Sequence, residues 1–177
     1  MRPLRLLPIG EVNDGVLPFL RSALPQHLQV PCEIIPVVLD PSATFHAERG
    51  QYHSSQLLAG MQRFDDGESW RVLGVTDVDL YIPILTFVFG EAQMRGSCAL
   101  VSARRLRQEF YGLAPDQALL EQRLLKEAIH EIGHTCTLTH CENYLCAMAA
   151  SHAVEWIDIK DAGLCRECRE KMEGSLG

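Results

Sequence analysis

The chain has 177 residues, 47% of them hydrophobic, a formal net charge of −7 and a sequence pI near 5.5. That length and apolar content suit one globular domain with a real core, and the acidic balance argues against a nucleic-acid-binding surface. No run of 18 apolar residues is present to cross a membrane, and the apolar stretch Leu6 to Ile9 is too short for a secretory signal.

Taken in chain order, Leu4 to Ile9 predicts a first strand. Asn13 or Asp14 is placed to cap a helix through about Leu24, with Pro25 stopping it. Val30 to Val38 reads as a strand interrupted by two prolines, and Pro41 to Gly50 as a loop. Gln51 to Phe64 has helical character, with Leu57, Leu58 and Met61 on one face. Asp65-Asp66-Gly67 signals a turn before a strand over Trp70 to Thr76. Phe87 to Ala92 and Ser97 to Ser102 predict two strands in a hairpin around Arg95-Gly96. Pro115 and Asp116 start a long helix that carries Leu119, Leu120, Leu124, Leu125, Ala128 and Ile129 into His130. The last predicted helix holds Cys165 and Cys168 and runs to about Glu173. Strands alternating with helices, followed by an irregular metal-rich end, indicate an α/β fold with a mixed sheet.

The densest chemistry lies in the run from His130 to His140. His130 and His134 are four apart, so on a helix they point from one face, one turn apart, and both reach a zinc at roughly 2.0–2.1 Å. Glu131 follows the first of them, where a carboxylate can take a proton from activated water. A continuous helix would carry His140 about 15 Å further along the axis than His130. The helix must therefore stop after His134 and the chain must fold back. Three neutral histidines leave a fourth position open, which is the catalytic pattern of zinc rather than the closed structural one. Cys141 and Cys146, then Cys165 and Cys168, form Cys-x4-Cys and Cys-x2-Cys pairs with 18 residues between them. That is the ligand spacing of a second, structural zinc, giving two Zn2+ per chain.

These residues resemble the signature of the archaemetzincins, a branch of the metzincin zinc peptidases: His-Glu-x-x-His-x-x-Gly-x-x-His-Cys-x4-Cys-x-Met, then Cys-x-x-Cys. The resemblance extends upstream to Gly74-Val75-Thr76-Asp77-Val78-Asp79-Leu80-Tyr81 and Phe87 to Ala92. It implies His130, His134 and His140 as catalytic zinc ligands and Glu131 as general base. It implies Met148 as the turn methionine beneath the metal, and Cys141, Cys146, Cys165 and Cys168 as ligands of the structural zinc. It also implies a metzincin-like zincin fold: a twisted mixed β-sheet with backing and active-site helices, and a small C-terminal lobe carrying the four-cysteine site. The lobes would divide the single metallopeptidase domain at about 1–134 and 135–177. An edge strand is expected beside the cleft, with Phe87 to Ala92 as the candidate. One position departs: Thr137 stands where the family usually has Gly, in a turn that commonly needs positive φ.

The remaining candidates have plainer readings. Asp77 and Asp79 suit strand-end or turn roles better than catalysis. Arg104, Arg105 and Arg107 read as a solvated basic face. His27, His46, His53 and His152 lack ligand spacing, although His152 lies near the metal loop. Cys32, Cys98 and Cys136 read as buried thiols, and with a thiolate site they point to a reducing cytoplasm. The function expected is zinc-dependent hydrolysis of peptide bonds by a monomer, with a peptide or protein as substrate. The alternatives are a catalytically silent zinc protein of the same fold that binds peptides, and a zinc-finger interaction module. The acidic charge and the separate histidine set count against the second.

Overall fold

A computed structural model of the chain describes residues 1–13 and 15–174. Four parallel strands build the main sheet: β1 (Leu4–Ile9), β2 (Cys32–Ile34), β5 (Arg71–Thr76) and β8 (Cys98–Ser102). A fifth, β7 (Gly90–Ala92), runs antiparallel to β8, and the order is β2-β1-β5-β8-β7. The edge strand expected within Phe87 to Ala92 is thus its last three residues. Three more strands, β3 (Phe45–His46), β4 (Gln51–His53) and β6 (Leu80–Tyr81), form a small second sheet in the order β3-β4-β6.

The alternation of side chains along the central strands sets the layers. Leu4, Leu6, Leu73, Val75, Ala99 and Val101 face the helices α1 (Val16–Leu28) and α3 (Gln117–Thr135). Leu7, Ile9, Val72, Cys98 and Leu100 face α2 (Ser54–Met61) through Leu57, Leu58 and Met61. Because both faces are covered, these strands are apolar at nearly every position, as a parallel sheet requires. Two short helices follow the long one, α4 (Val154–Ile159) and α5 (Arg166–Glu173). No described helix is long and apolar enough to cross a membrane.

Several boundaries differ from the sequence reading. The cap of α1 is Gly15, with no side-chain hydrogen bond; Asn13 Oδ1 accepts from the Gly15 N–H at 3.4 Å, and Asp14 lies outside the described residues. Pro25 sits inside α1, which continues to Leu28. Proline removes one helix hydrogen bond, but Val16, Leu20, Leu24 and Leu28 form an unbroken buried stripe whose packing outweighs it. Gln51 to His53 are strand, paired with Phe45–His46 and Leu80–Tyr81, so tertiary pairing overrides the local helical pattern. Helix α4 has no counterpart among the predicted elements, and only Cys32 to Ile34 of the Val30–Val38 run is strand. Cys165 is the N-cap of α5 rather than part of it.

Helix α3 begins as expected, with Asp116 capping through Oδ1 to the Leu119 N–H at 2.9 Å. Its end is a Schellman motif: the Leu138 N–H bonds the Gly133 carbonyl at 3.1 Å and the Thr137 N–H bonds the His134 carbonyl at 3.1 Å. Thr137 occupies the left-handed position with φ 70°. The turn is thus the one glycine serves best, held here by a β-branched residue at a cost of roughly 1–2 kcal/mol. Glycine regains that strain but loses about 0.4–1 kcal/mol through a freer unfolded chain. Thr137→Gly is therefore expected to raise stability by about 0.5–1 kcal/mol in urea titrations; an unchanged or lowered midpoint would show that the turn is not strained.

Candidate active site

The last two turns of α3, the reversal after it and the edge strand β7 meet in one cleft, lined by Phe87 to Ala92, Glu127, His130, Glu131, His134, His140 and Ala150 to His152. The ligand-capable atoms of His130, His134 and His140 lie within 4.8 Å of one another. Reversal at Thr137 brings the third histidine back, as the motif spacing requires.

Hydrogen bonds define which nitrogens face the centre. His130 Nδ1 is 2.8 Å from the Ala147 carbonyl, and His134 Nδ1 is 2.8 Å from the Leu138 carbonyl. A carbonyl only accepts, so both Nδ1 atoms carry the proton and both Nε2 atoms carry a lone pair. Those two Nε2 atoms stand 3.0 Å apart. With no proton to share, two facing lone pairs repel, and a cation between them removes the conflict. Tetrahedral nitrogens about 2.05 Å from zinc would sit roughly 3.3 Å apart, close to what the pair already shows. Burial holds all three imidazoles in the neutral form, their pKa values lowered, His130 well below 6.5, with Lys160 and the neighbouring histidines adding to the effect. The donor set, its protonation and its spacing fit zinc.

Glu131 lines the same cleft and packs against the edge strand. A side chain on Gly90 would meet Glu131 Cγ at 2.7 Å and Oε1 at 2.8 Å, so only glycine at that position lets the strand and the carboxylate share the space. Burial raises the Glu131 pKa well above the usual carboxyl value, and Glu127 and Glu91 raise it further while Lys160 opposes them. Glu91 itself is tied down by the hydroxyls of Ser54 and Ser55. Beneath the helix, Met148 packs its sulfur where a side chain on Gly133 would lie.

The four cysteines expected as a set also converge: the sulfurs of Cys141, Cys146, Cys165 and Cys168 lie within 4.8 Å of one another. Cys141 Sγ and Cys165 Sγ are 3.8 Å apart, about the separation of sulfurs placed tetrahedrally 2.3 Å from one zinc and far longer than a disulfide. The N–H of Cys165 donates to Cys146 Sγ at 3.2 Å, as suits a thiolate. This set too fits zinc.

A match to the model of peptidase family M54 spans residues 20–174. The chain belongs to peptidase family M54. It is 44% identical over 166 residues to the archaemetzincin of Methanocaldococcus jannaschii, covering 94% of this chain and 90% of that one. The structure resembles that of the Archaeoglobus fulgidus archaemetzincin, solved with malonate, at TM-score 0.81 and 34% identity, over 94% of this chain and 98% of the other. It also resembles a zinc-dependent peptidase from Methanocorpusculum labreanum at TM-score 0.87 and 30% identity, over 96% and 99%. Membership in the archaemetzincins makes the protein a zinc metallopeptidase of metzincin-like α/β fold.

Several residues do not hold the places read from sequence. Arg105 and Arg107 are no solvated face: Arg105 makes a two-pronged bond to Asp79 at 2.6 and 2.8 Å, and Arg107 binds Asp77 at 2.7 Å. Only Arg104 of the three is exposed. The two aspartates are thus spent on fixing the loop after β5, outside the cleft. Cys32 is half-buried where full burial was expected, whereas Cys98 and Cys136 are buried. His152 lines the cleft, and His46 and His53 pack around the Tyr81 ring instead. The residues that sequence reasoning missed are Glu127, Glu91 and Lys160. Lys160 is 1% exposed, and its ammonium lies 2.8 Å from Glu127 Oε1. Isolated, each such ion would cost several kcal/mol to bury. Spacing offered one signal: Glu127 precedes Glu131 by one helical turn, on the same face.

The depressed histidine pKa values carry a sign. Unfolded histidines take up protons near pH 6.5 and the folded ones only at lower pH, so histidine-linked stability is full above that value and declines as pH falls below it. In the metal-free chain, the His130 ring resonances are expected to stay those of the neutral Nδ1–H form through pH 6.5. A titration midpoint at the ordinary value would contradict the burial and hydrogen bonding described.

Proposed function

We propose that His130, His134 and His140 hold the catalytic zinc, that Cys141, Cys146, Cys165 and Cys168 hold a second, structural zinc, and that Glu131 is the general base of peptide-bond hydrolysis. The observation that carries this is the pair of lone-pair-bearing Nε2 atoms 3.0 Å apart, in the same cleft as a buried carboxylate. Bound zinc supplies Lewis acidity and a water of lowered pKa, near 7.

The chain's own residues do the rest. The edge strand Gly90–Ala92 has an unpaired side, so an extended substrate can add to the sheet through main-chain hydrogen bonds. Such pairing would draw the substrate backbone along the wall against which Glu131 packs. Glu131 takes the proton of the attacking water and returns it to the leaving amine. A carboxyl whose proton affinity is raised by burial suits both halves of that transfer, and a bound cation tempers the rise. Met148 under Gly133 sets the floor of the metal site. No tyrosine follows Met148, where Ala149 and Ala150 stand, so developing oxyanion charge is left to the metal and the edge-strand amides.

The free thiols and the absence of any disulfide among the described residues support a reducing compartment, the cytoplasm, as its place. We further read the chain as a monomer acting on peptides or proteins and not on nucleic acid, in keeping with its net charge of −7. The segment 135–177 forms the smaller lobe in this reading.

Glu131→Ala is expected to leave zinc content unchanged and to lower hydrolysis of a peptide-library substrate by about 10²–10⁴-fold. Equal turnover in the variant would remove Glu131 from the mechanism. If the parent cuts nothing across the library yet binds peptides, the protein is a silent peptide binder instead.

A further inference from the structure

Among the described residues, the largest fully buried side chain is a lysine. Lys160 follows α4 directly, and α3 fixes that helix in place: Arg123 grips Asp158 at 2.7 and 2.6 Å, and Lys126 Nζ donates to the Ile157 carbonyl at 3.0 Å. The ammonium so delivered has three donors and three partners. It lies 2.8 Å from Glu127 Oε1 and donates to the carbonyls of Ala147 at 3.1 Å and Ala149 at 3.2 Å. Those carbonyls flank Met148. One of them, Ala147 O, also accepts from His130 Nδ1 at 2.8 Å. Glu127 lies one turn before His130 and Glu131 on the same helix.

A single buried charge therefore ties three things together: the helix bearing two histidines, the methionine turn below them, and the carbonyl that fixes which nitrogen of His130 is free. A lysine spent only on cohesion would be a poor choice, since apolar residues of similar volume fill such a place at no loss of stability. What apolar residues cannot do is aim two backbone carbonyls. We propose that Lys160 is a positioning residue for the metal site: it locks the Met148 turn against α3 and so holds the Ala147 carbonyl where it fixes the tautomer and orientation of His130.

The inference rests on the reading of the three histidines as ligands. Hydrogen-bond partners of this kind typically change metal affinity by 10–100-fold when lost, through ring orientation and basicity. Removing both partners leaves the net charge of the chain unchanged but takes away the Lys160 field at the histidines, so the His130 tautomer, read beside affinity, reports the geometric effect.

The test is the double change Glu127→Met with Lys160→Met, made in the full chain with the cysteine site loaded. Melting should be unchanged or raised, as for other buried pairs replaced by apolar residues. Zinc affinity at the histidine site, measured by chelator competition, should fall about 10-fold or more. In the metal-free variant the Nδ1-bound proton of His130, seen by NMR, should exchange faster with solvent and lose its single-tautomer signature. A folded variant with affinity within threefold of the parent and an unchanged His130 signal would overturn the proposal and leave Lys160 a clamp only. If the variant does not fold, Glu127→Gln with Lys160→Gln keeps polar groups at both positions and carries the same two measurements. A parent chain that binds no metal at the histidines would sink the ligand reading, and this inference with it.

Discussion

The structure depends on one reversal of direction. The last two turns of α3 present His130 and His134, and the third histidine can join them only if the helix ends at once and the chain doubles back. The Schellman turn does this with Thr137 in the left-handed region, φ 70°. Everything downstream is then placed by short links. His140 and Cys141 are neighbours, so one peptide bond joins the histidine set to the cysteine set. The Cys141 N–H bonds the Met148 carbonyl at 2.9 Å, which closes the loop under the helix. Strain of a kcal/mol or two at Thr137 is small against such a set of tethers, and a zinc held by the four thiolates, as proposed, would add folding free energy of its own.

The same region gathers several buried ionisable groups, and its packing explains how they are tolerated. Glu127 is neutralised by Lys160, whose remaining protons go to two carbonyls. Glu91 is held by two serine hydroxyls. Among the described residues no such partner holds Glu131, and burial raises its proton affinity. In the proposed reading, Glu131 is the one of these three carboxylates that serves proton transfer. Two glycines create the space for this arrangement: Gly90 admits Glu131 beside the edge strand, and Gly133 admits Met148 beneath the helix.

Much of this was legible in the sequence, for identifiable reasons. The histidine and cysteine clusters were readable because metal geometry imposes fixed spacings that chance rarely doubles. The strands Leu4–Ile9 and Arg71–Thr76 were readable because two-sided burial leaves apolar runs, and the start of α3 because Asp116 caps it. Failures arose where distant partners decide. Pro25 did not end α1, because the sheet holds the leucine stripe beyond it. Tyr52 and His53 became strand through pairing with Leu80 and Tyr81, 28 positions away. Arg105 and Arg107 looked solvated because their aspartates lie 26 and 30 residues upstream. Lys160 went unnoticed for the same reason, since nothing near it in sequence reveals a buried glutamate 33 positions before it.

The central claim is that the three imidazoles form one metal site and the four thiols another, tied by the His140–Cys141 link. Diffraction from zinc-grown crystals on both sides of the zinc absorption edge tests it most directly. The account expects two anomalous peaks per chain, one about 2.0–2.1 Å from Nε2 of His130 and His134 and from a ring nitrogen of His140, the other about 2.3 Å from all four sulfurs. A zinc peak at the cysteines with none among the histidines, in crystals grown with excess zinc at neutral pH, would contradict it.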